Sequence, residues 1–293
     1  MEHHIERSAP VSQLEPAQAA GTIRHPARRA PLFGYTKPAA AAVLRFPINT
    51  RGRDFAVGDL HGMYDALYSA MHAVGFVPGI DRLFCVGDIV DFGASSGRCM
   101  EILNIPGVHT VRGYREQRLL SLYGGSTVDE EDALFHQYHD GGAWWARLRN
   151  YERQHILERF GQLPWAIEVE TAKGRVGIIH ADVPRALAWD TFTEKLQQAD
   201  RLMQFTAIAG TASAHAQDEA EVQGLWRLYV GHTVQRGGAR QLGNVMMIDT
   251  GAVVASRPAG GAGYGLTFMD ITGDPNPMPA VQVAGEERLQ RQG

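Results

Sequence analysis

Apolar residues return along this chain in two rhythms, as short buried runs and as longer stretches with one every three or four positions. Asp54–Val57 reads as a strand, after which Met63, Leu67, Ala70, Met71 and Val74 recur at helical spacing until Gly75 stops them. Arg82–Val86 gives a second strand, Ser96–Leu103 a short helix and Val108–Arg112 a third strand. From about Asp129 to Phe160 the pattern is helical, broken at Gly141-Gly142. The second half is denser in strands. Trp165–Glu170 and Arg175–Ile179 predict a pair turning at Lys173-Gly174, and further strands fall at Leu225–Val230, Val245–Asp249 and Gly265–Ile271. One helix is expected near Thr193–Phe205, followed by a weakly patterned loop through Glu221. Alternation of strand and helix early, and clustering of strands late, predict an α/β fold in which helices cover a mixed, two-layered sheet.

Both ends depart from this pattern. Residues 1–42 carry Pro10, Pro16, Pro26, Pro31 and Pro38 without a sustained apolar period, which predicts a disordered arm. A single domain is expected over 43–275 and a tail over 276–293. With 293 residues and 44% apolar side chains the chain can build a large core. Its net charge of −4 and the lack of a basic stripe argue against nucleic acid as a partner. No apolar stretch is long enough to span a bilayer and no signal-peptide core opens the sequence, so no membrane partner is expected and the cytoplasm is the expected compartment. A specialised export signal would escape this reading. Cys85 and Cys99 stand in apolar contexts, where buried free thiols are expected.

Several strands end alike, with a glycine close to a side chain able to hold a metal. At the carboxyl edge of an α/β sheet, converging loops bring such residues together. Asp59 and His61 stand two apart after the first strand, and Gly58 and Gly62 allow a tight turn around them. Asp88 follows the second strand, with Asp91 three residues on, and His180 and His232 follow later strands. The carboxylates Asp59 and Asp88 with the imidazoles His61, His180 and His232 make an oxygen–nitrogen set suited to manganese, iron or zinc over calcium. A carboxylate bridging two ions about 4 Å apart is an arrangement that clamps and hydrolyses phosphate esters.

In order, Gly58-Asp59-Leu60-His61-Gly62, Gly87-Asp88-Ile89-Val90-Asp91, Val111-Arg112-Gly113-Tyr114-Arg115-Glu116, His180-Ala181-Asp182 and Gly231-His232-Thr233 resemble the phosphoprotein phosphatase family of metallophosphoesterases. The small bacterial and phage branch is nearest in pattern, since Asp140-Gly141-Gly142-Ala143-Trp144 and Ile248-Asp249-Thr250-Gly251-Ala252 also match it. The resemblance spans about Asp54 to Ile271 and implies a two-sheet β-sandwich flanked by helices, in four αββα layers. It implies a hydrolase with two divalent cations, manganese first, with iron and zinc as alternatives. Asp59 and His61 would hold the first ion, Asp88 would bridge, and His180 and His232 would hold the second. Water between the ions would attack phosphorus without a covalent phosphoenzyme. The implied substrate is a phosphorylated protein or a small phosphoester.

The third motif departs from the family, which has Gly-Asn-His-Glu there. In the family the asparagine ligates the second metal, and the histidine, oriented by an aspartate, protonates the leaving group. Here Tyr114 and Arg115 stand at those places, Asp91 resembles the orienting aspartate, and Phe92 replaces an arginine that clamps phosphate. Arg115 stays protonated and cannot pass a proton, and loss of a general acid costs a factor of about 10² to 10⁴. Tyr114, a phenol of pKa about 10, is a weaker metal ligand, so the second site is expected to be weak or unfilled. Asp91 and Arg115 remain the expected catalytic residues. Arg115, Arg236 and Arg185 are the candidate phosphate contacts, with Arg201 and Arg227 also considered for a second clamp. Two readings stay open. The first is a phosphoesterase slowed or redirected to leaving groups that need no acid, such as aryl phosphates. The second is a pseudophosphatase in which Arg115 pairs with Asp91 and holds phosphate without cleaving it. Retention of five metal ligands favours the enzyme. Hydrolysis of dinucleoside polyphosphates, the chemistry of a sister family, is a further alternative. Trp144 and Trp145 are read as core, His139 as the extra histidine nearest the site, and Asp182 as a turn former or a partner for a ligand histidine.

Overall fold

The apolar runs become the strands of two mixed sheets. The computed structural model describes residues 41–257 and 261–271, so the expected arm, save Ala41 and Ala42, and the expected tail lie outside the described residues. In chain order the strands are β1 (Val43–Phe46), β2 (Asp54–Val57), β3 (Arg82–Cys85), β4 (Val108–Thr110), β5 (Ala166–Thr171), β6 (Gly174–Ile178), β7 (Arg227–Val230), β8 (Arg240–Leu242), β9 (Val245–Met247) and β10 (Phe268–Asp270). They form a four-stranded sheet ordered β10-β2-β3-β4 and a six-stranded sheet ordered β1-β5-β6-β7-β9-β8. In the smaller sheet β2, β3 and β4 run parallel, with Val57 opposite Cys85 and Cys85 opposite Thr110. In the larger one β6, β7 and β9 run parallel, with Ile178 opposite Tyr229 and Tyr229 opposite Met246. Parallel pairing in these registers levels the carboxyl ends of six strands, three in each sheet, so the loops that leave them start side by side.

Side-chain alternation decides what each sheet face touches. Phe55, Val57, Leu83 and Cys85 point to a helical layer, while Ala56, Phe84 and Val86 meet Ile167, Val176, Ile178, Tyr229 and Met246 of the other sheet. From the larger sheet, Ala166, Leu228, Val230, Val245 and Met247 face a second helical layer containing Trp189, Phe192 and Met203. The result is four layers, αββα. Strands covered on both faces explain why their sequences read as unbroken apolar runs. Phe84 is fully buried between the sheets, where truncation to alanine costs about 3–5 kcal/mol.

The helices that matter for the site are α1 (Tyr64–Ala73), α2 (Cys99–Leu103), α3 (Tyr114–Tyr123) and α4 (Glu130–His139). Helix α1 buries Tyr64, Leu67, Ala70 and Met71, the stripe read from the sequence. Helix α3 has no counterpart in the sequence reading. The single helix expected near Thr193–Phe205 is instead two, Trp189–Gln197 and Arg201–Ala209. They part where Ala199 takes φ +59° and Asp200 caps the second helix, its carboxylate accepting the N–H groups of Leu202 and Met203. The weakly patterned stretch before Glu221 holds one short helix, Ala212–Ala216. Cys85 and Cys99 are free and fully buried, and burial pushes the Cys85 thiol up to about 12. Among the described residues no helix is long and apolar enough to cross a membrane.

Candidate metal centre

The loops leaving β2, β3 and β4 are stitched together by their backbones. The N–H groups of Leu60 and His61 donate to the Asp88 carbonyl at 3.2 and 2.9 Å, and that of Gly62 donates to the Ile89 carbonyl at 2.9 Å. Glu116, in the first turn of α3, accepts the N–H groups of Asp88, Ile89 and Gly113 at 3.0, 2.9 and 2.8 Å. From the larger sheet, the His232 N–H donates to the Asp59 carboxylate at 3.1 Å. Gly231 makes that approach possible, because a methyl group there would lie 2.0 Å from Asp59 Oδ1. Five non-glycine residues of these loops adopt left-handed backbone: His61 (φ +43°), Asp88 (+47°), Asp91 (+71°), Phe92 (+65°) and His232 (+65°). Each such residue costs about 1–3 kcal/mol, and strain of this kind concentrates where a site holds groups in a set geometry.

The side chains converge as the sequence predicted. One ligand atom from each of Asp59, His61 and Asp88 lies within 4.8 Å of the others, and the same holds for Asp88, His180 and His232. Asp88 belongs to both groups. His61 Nδ1 lies 3.0 Å from the Val90 carbonyl, and His180 Nδ1 lies 2.8 Å from that of Val86. A carbonyl only accepts, so each Nδ1 carries the hydrogen and each Nε2 turns its lone pair into the space beside the carboxylates, where a cation would be held by both. His61 Nε2 is 3.9 Å from Asp59 and 3.8 Å from Asp88, and His180 Nε2 is 3.4 Å from Asp88. His180 Nε2 is fully buried and has no hydrogen-bond partner among the described residues.

The electrostatics point the same way. Burial, reinforced by Asp249 and Asp88, pushes Asp59 well above the usual carboxylate range. Burial raises Asp249 to about 6, and burial followed by the Asp88 charge raises Glu116 to about 8, against the three N–H donors that favour its anion. Asp88 shifts downward, because His180, His61 and Arg115 together outweigh the burial that opposes its charge. Burial lowers His180 to about 4 and also lowers His232, so both imidazoles are neutral donors at neutral pH. Crowded buried carboxylates, neutral imidazoles and an orphaned Nε2 form a donor set that a divalent cation fits, since it supplies the positive charge the cluster needs.

The side of the site bearing Tyr114 and Arg115 is arranged differently from expectation. The Arg115 N–H, at the start of α3, donates to Asp88 Oδ1 at 2.7 Å. Its guanidinium lies 2.8 Å from Asp140 and 4.0 Å from Asp91, over the rings of Phe92 at 4.4 Å and Tyr114 at 5.4 Å. Its close ion-pair partner is therefore Asp140, and the pairing with Asp91 that the pseudophosphatase reading expects is present as the longer contact. Asp91 is engaged elsewhere: it accepts from Trp144 Nε1 at 2.7 Å and sits 3.2 Å from His136 Nε2. His136 Nδ1 in turn lies 3.1 Å from the Tyr123 hydroxyl. Trp144 is buried, as predicted, and also carries this polar contact. The extra histidine that reaches the site is His136, on the buried face of α4 with Ala133; His139 is exposed and packs on Phe135. Tyr114 faces His232 with ring centroids 6.1 Å apart.

A cavity of about 300 Å³ opens over the cluster, lined among others by Asp59, Asp88, Phe92, Tyr114, Arg115 and Arg257. Of the predicted phosphate contacts only Arg115 lines it. Arg185 lies 3.9 Å from Asp182 in a separate, smaller pocket, and Arg236 packs over Tyr264. Arg201 and Arg227 are also absent from its lining. Asp182 acts in the turn, accepting the N–H groups of Val183 and Ser213. Sequence reasoning assigned no role to Asp249, Glu116, His136, Asp140 or Arg257. Asp249 and Glu116 sit inside motifs that were recognised, so the signal was there; Arg257 has no motif to mark it.

A family model described as calcineurin-like phosphoesterase matches residues 55–245. Serine/threonine-protein phosphatase 2 of Escherichia coli (strain K12) is 28% identical over 206 residues, which cover 69% of this chain and 89% of that protein. Serine/threonine-protein phosphatase 1 of Salmonella typhimurium is 29% identical over 68% of this chain and 86% of that protein. A solved structure described as a candidate diadenosine tetraphosphatase aligns with a TM-score of 0.50 at 19% identity, over 79% of this chain and 94% of that one, a likeness of fold.

Proposed function

The chain belongs to the calcineurin-like phosphoesterase family, whose members are metal-dependent hydrolases, and on that premise we propose that it hydrolyses phosphate monoesters with two divalent cations, manganese first. Asp59, His61 and Asp88 would hold one ion, and Asp88, His180 and His232 the other. The observation that carries this reading is that two sets of ligand atoms share one carboxylate, Asp88, as a bridge requires. Bound there, the ions would supply Lewis-acid charge to phosphate oxygens and lower the pKa of a water. Tyr114 is the weaker ligand beside His232, so the second ion binds less tightly than the first.

The chain's own residues do the rest. The Val86 and Val90 carbonyls fix the rotation of two ligand imidazoles. Arg115 stands where the family has its proton donor, held by Asp140 and by the rings of Phe92 and Tyr114. A guanidinium in that place stabilises a departing anion and supplies no proton. Asp91, engaged by Trp144 and His136, fixes the wall behind it. Turnover is therefore selective for esters whose leaving group departs as a stable anion. Alkyl esters, as in phosphoserine, lose about 10² to 10⁴ for want of an acid. The substrate is a phosphorylated protein or a small phosphoester, and the compartment is the cytoplasm.

The test is hydrolysis of p-nitrophenyl phosphate by chelator-stripped protein reloaded with Mn²⁺, alongside metal analysis of the same sample. Turnover with two ions per chain is expected. A folded, metal-loaded protein that turns over none of this ester with manganese, iron or zinc would instead be a phosphate-binding pseudophosphatase.

A further inference from the structure

A phosphate monoester brings two negative charges into a cavity walled by Asp59, Asp88 and Asp249. Metal ions answer part of that charge, and the remainder falls to arginine. Among the described residues Arg115 and Arg257 are the arginines that line the cavity. They differ in what else they do. Arg115 is committed to Asp140 at 2.8 Å, with 15% of its side chain exposed. Arg257 is exposed and ion-pairs with no carboxylate among the described residues.

The position of Arg257 is set from the metal side. Asp249 accepts the Gly251 N–H at 2.9 Å, and Gly251, at φ +76°, turns the chain into the short helix Ala252–Ala255. A methyl group on Gly251 would lie 2.8 Å from the Tyr264 ring, so the turn is tightly seated. The Arg257 N–H then donates to the Val254 carbonyl at 3.2 Å, continuing the same turn, and Val253 and Val254 line the cavity beside it. A backbone tie therefore joins a carboxylate of the cluster to the segment that carries, at the cavity wall, a guanidinium without a carboxylate partner among the described residues.

We propose that Arg257 anchors the phosphate group of the substrate, supplying from the segment after β9 the charge that Phe92 cannot. Phe92 presents an aromatic ring to the cavity, and its companion Arg115 is already paired. A guanidinium arriving from Arg257 offers a two-pronged contact to phosphoryl oxygens. The ligand chemistry is the phosphate dianion, common to a monoester substrate and to its inorganic phosphate product. This inference rests on the phosphoesterase reading.

Binding of inorganic phosphate to the Mn²⁺-loaded protein by calorimetry, with KM and kcat for p-nitrophenyl phosphate in parallel, tests it. Arg257→Ala should weaken phosphate about tenfold to a hundredfold, the range for a lost charged hydrogen bond, and raise KM more than it lowers kcat. Its Mn²⁺ stoichiometry should equal that of the parent. Arg257→Lys should recover part of the affinity, since it keeps the charge and loses the fork. Adding Phe92→Arg to Arg257→Ala should restore phosphate binding from the opposite wall. If Arg257→Ala, loaded with Mn²⁺, binds phosphate as the parent does, the inference fails while the phosphoesterase reading stands. If the parent binds no Mn²⁺ and turns over no ester, that reading fails and takes the inference with it.

Discussion

One wall of the cavity is held by backbone and the other by side chains. Asp59, His61, Asp88 and His180 are fixed by carbonyls and N–H groups of neighbouring loops, with Glu116 tying three of those N–H groups together. The side chains of Phe92, Tyr114 and Arg115 are placed by the Arg115 guanidinium, which lies over both rings and pairs with Asp140. The difference teaches where such a site can change. A side chain bound to loop backbone gives up hydrogen bonds that shape the loop when it is replaced, whereas a wall of side chains packed on one guanidinium can be exchanged as a set. The wall bearing Asp59 and Asp88 keeps the pattern that the sequence resemblance implies, and the opposite wall departs from it.

Breaking the first wall should have the largest effect. Asp88→Asn removes the charge common to both ligand groups, and kcat/KM for p-nitrophenyl phosphate should fall about 10³-fold. Metal analysis should show lost Mn²⁺, while circular dichroism stays unchanged. Exchanging the second wall should do the opposite. Tyr114→Asn with Arg115→His restores a proton donor and a better ligand, so turnover of a phosphoserine peptide should rise by about 10². The dependence of rate on leaving-group pKa should flatten in the same variant. No gain would mean that the two walls are coupled and cannot be exchanged separately.

A third variant asks whether the second wall has a foundation of its own. His136→Ala leaves Asp91 and the Tyr123 hydroxyl short of a buried partner, which should lower stability by about 1–3 kcal/mol in urea denaturation. Mn²⁺ stoichiometry should not change. The smallest effect concerns pH. Glu116 is raised to about 8 from an ordinary 4.5, so its contribution to stability is complete below 4.5 and is lost as pH rises through 8. His180 runs the other way, with its contribution present above 6.5 and lost as pH falls toward 4. Between pH 6.5 and 8, then, Glu116 governs. The Tm of metal-free protein should fall by a few degrees across that window, and Mn²⁺ should raise Tm more at pH 8 than at pH 6.5.

The contrast between walls also explains what the sequence could reveal. The strands Asp54–Val57 and Arg82–Cys85 are apolar on both faces and end in glycine-flanked Asp and His residues, so both the fold and the side chains that cluster at the site were legible. Helix α3 was not, because its buried face includes Glu116, Gln117 and Arg118 and breaks the apolar stripe. Strands β1 and β8 escaped because they are short edge strands with partly exposed positions. Asp91 meets Trp144 and His136 across 53 and 45 positions, and Arg115 meets Asp140 across 25. No local spacing encodes such pairs; only the packing of α4 and the turn after it against the site does.

Cys85 closes β3, three positions ahead of Asp88, with β2 on one side and β4 on the other. Because its thiol is sealed in and held uncharged, an alkylating reagent finds nothing to react with until those strands separate. The speed of modification at Cys85, resolved from that at Cys99 by peptide mapping, is thus a count of how often the smaller sheet opens beneath Asp59 and Asp88. The same count, taken with and without manganese, measures how firmly a bound ion clamps the sheet shut.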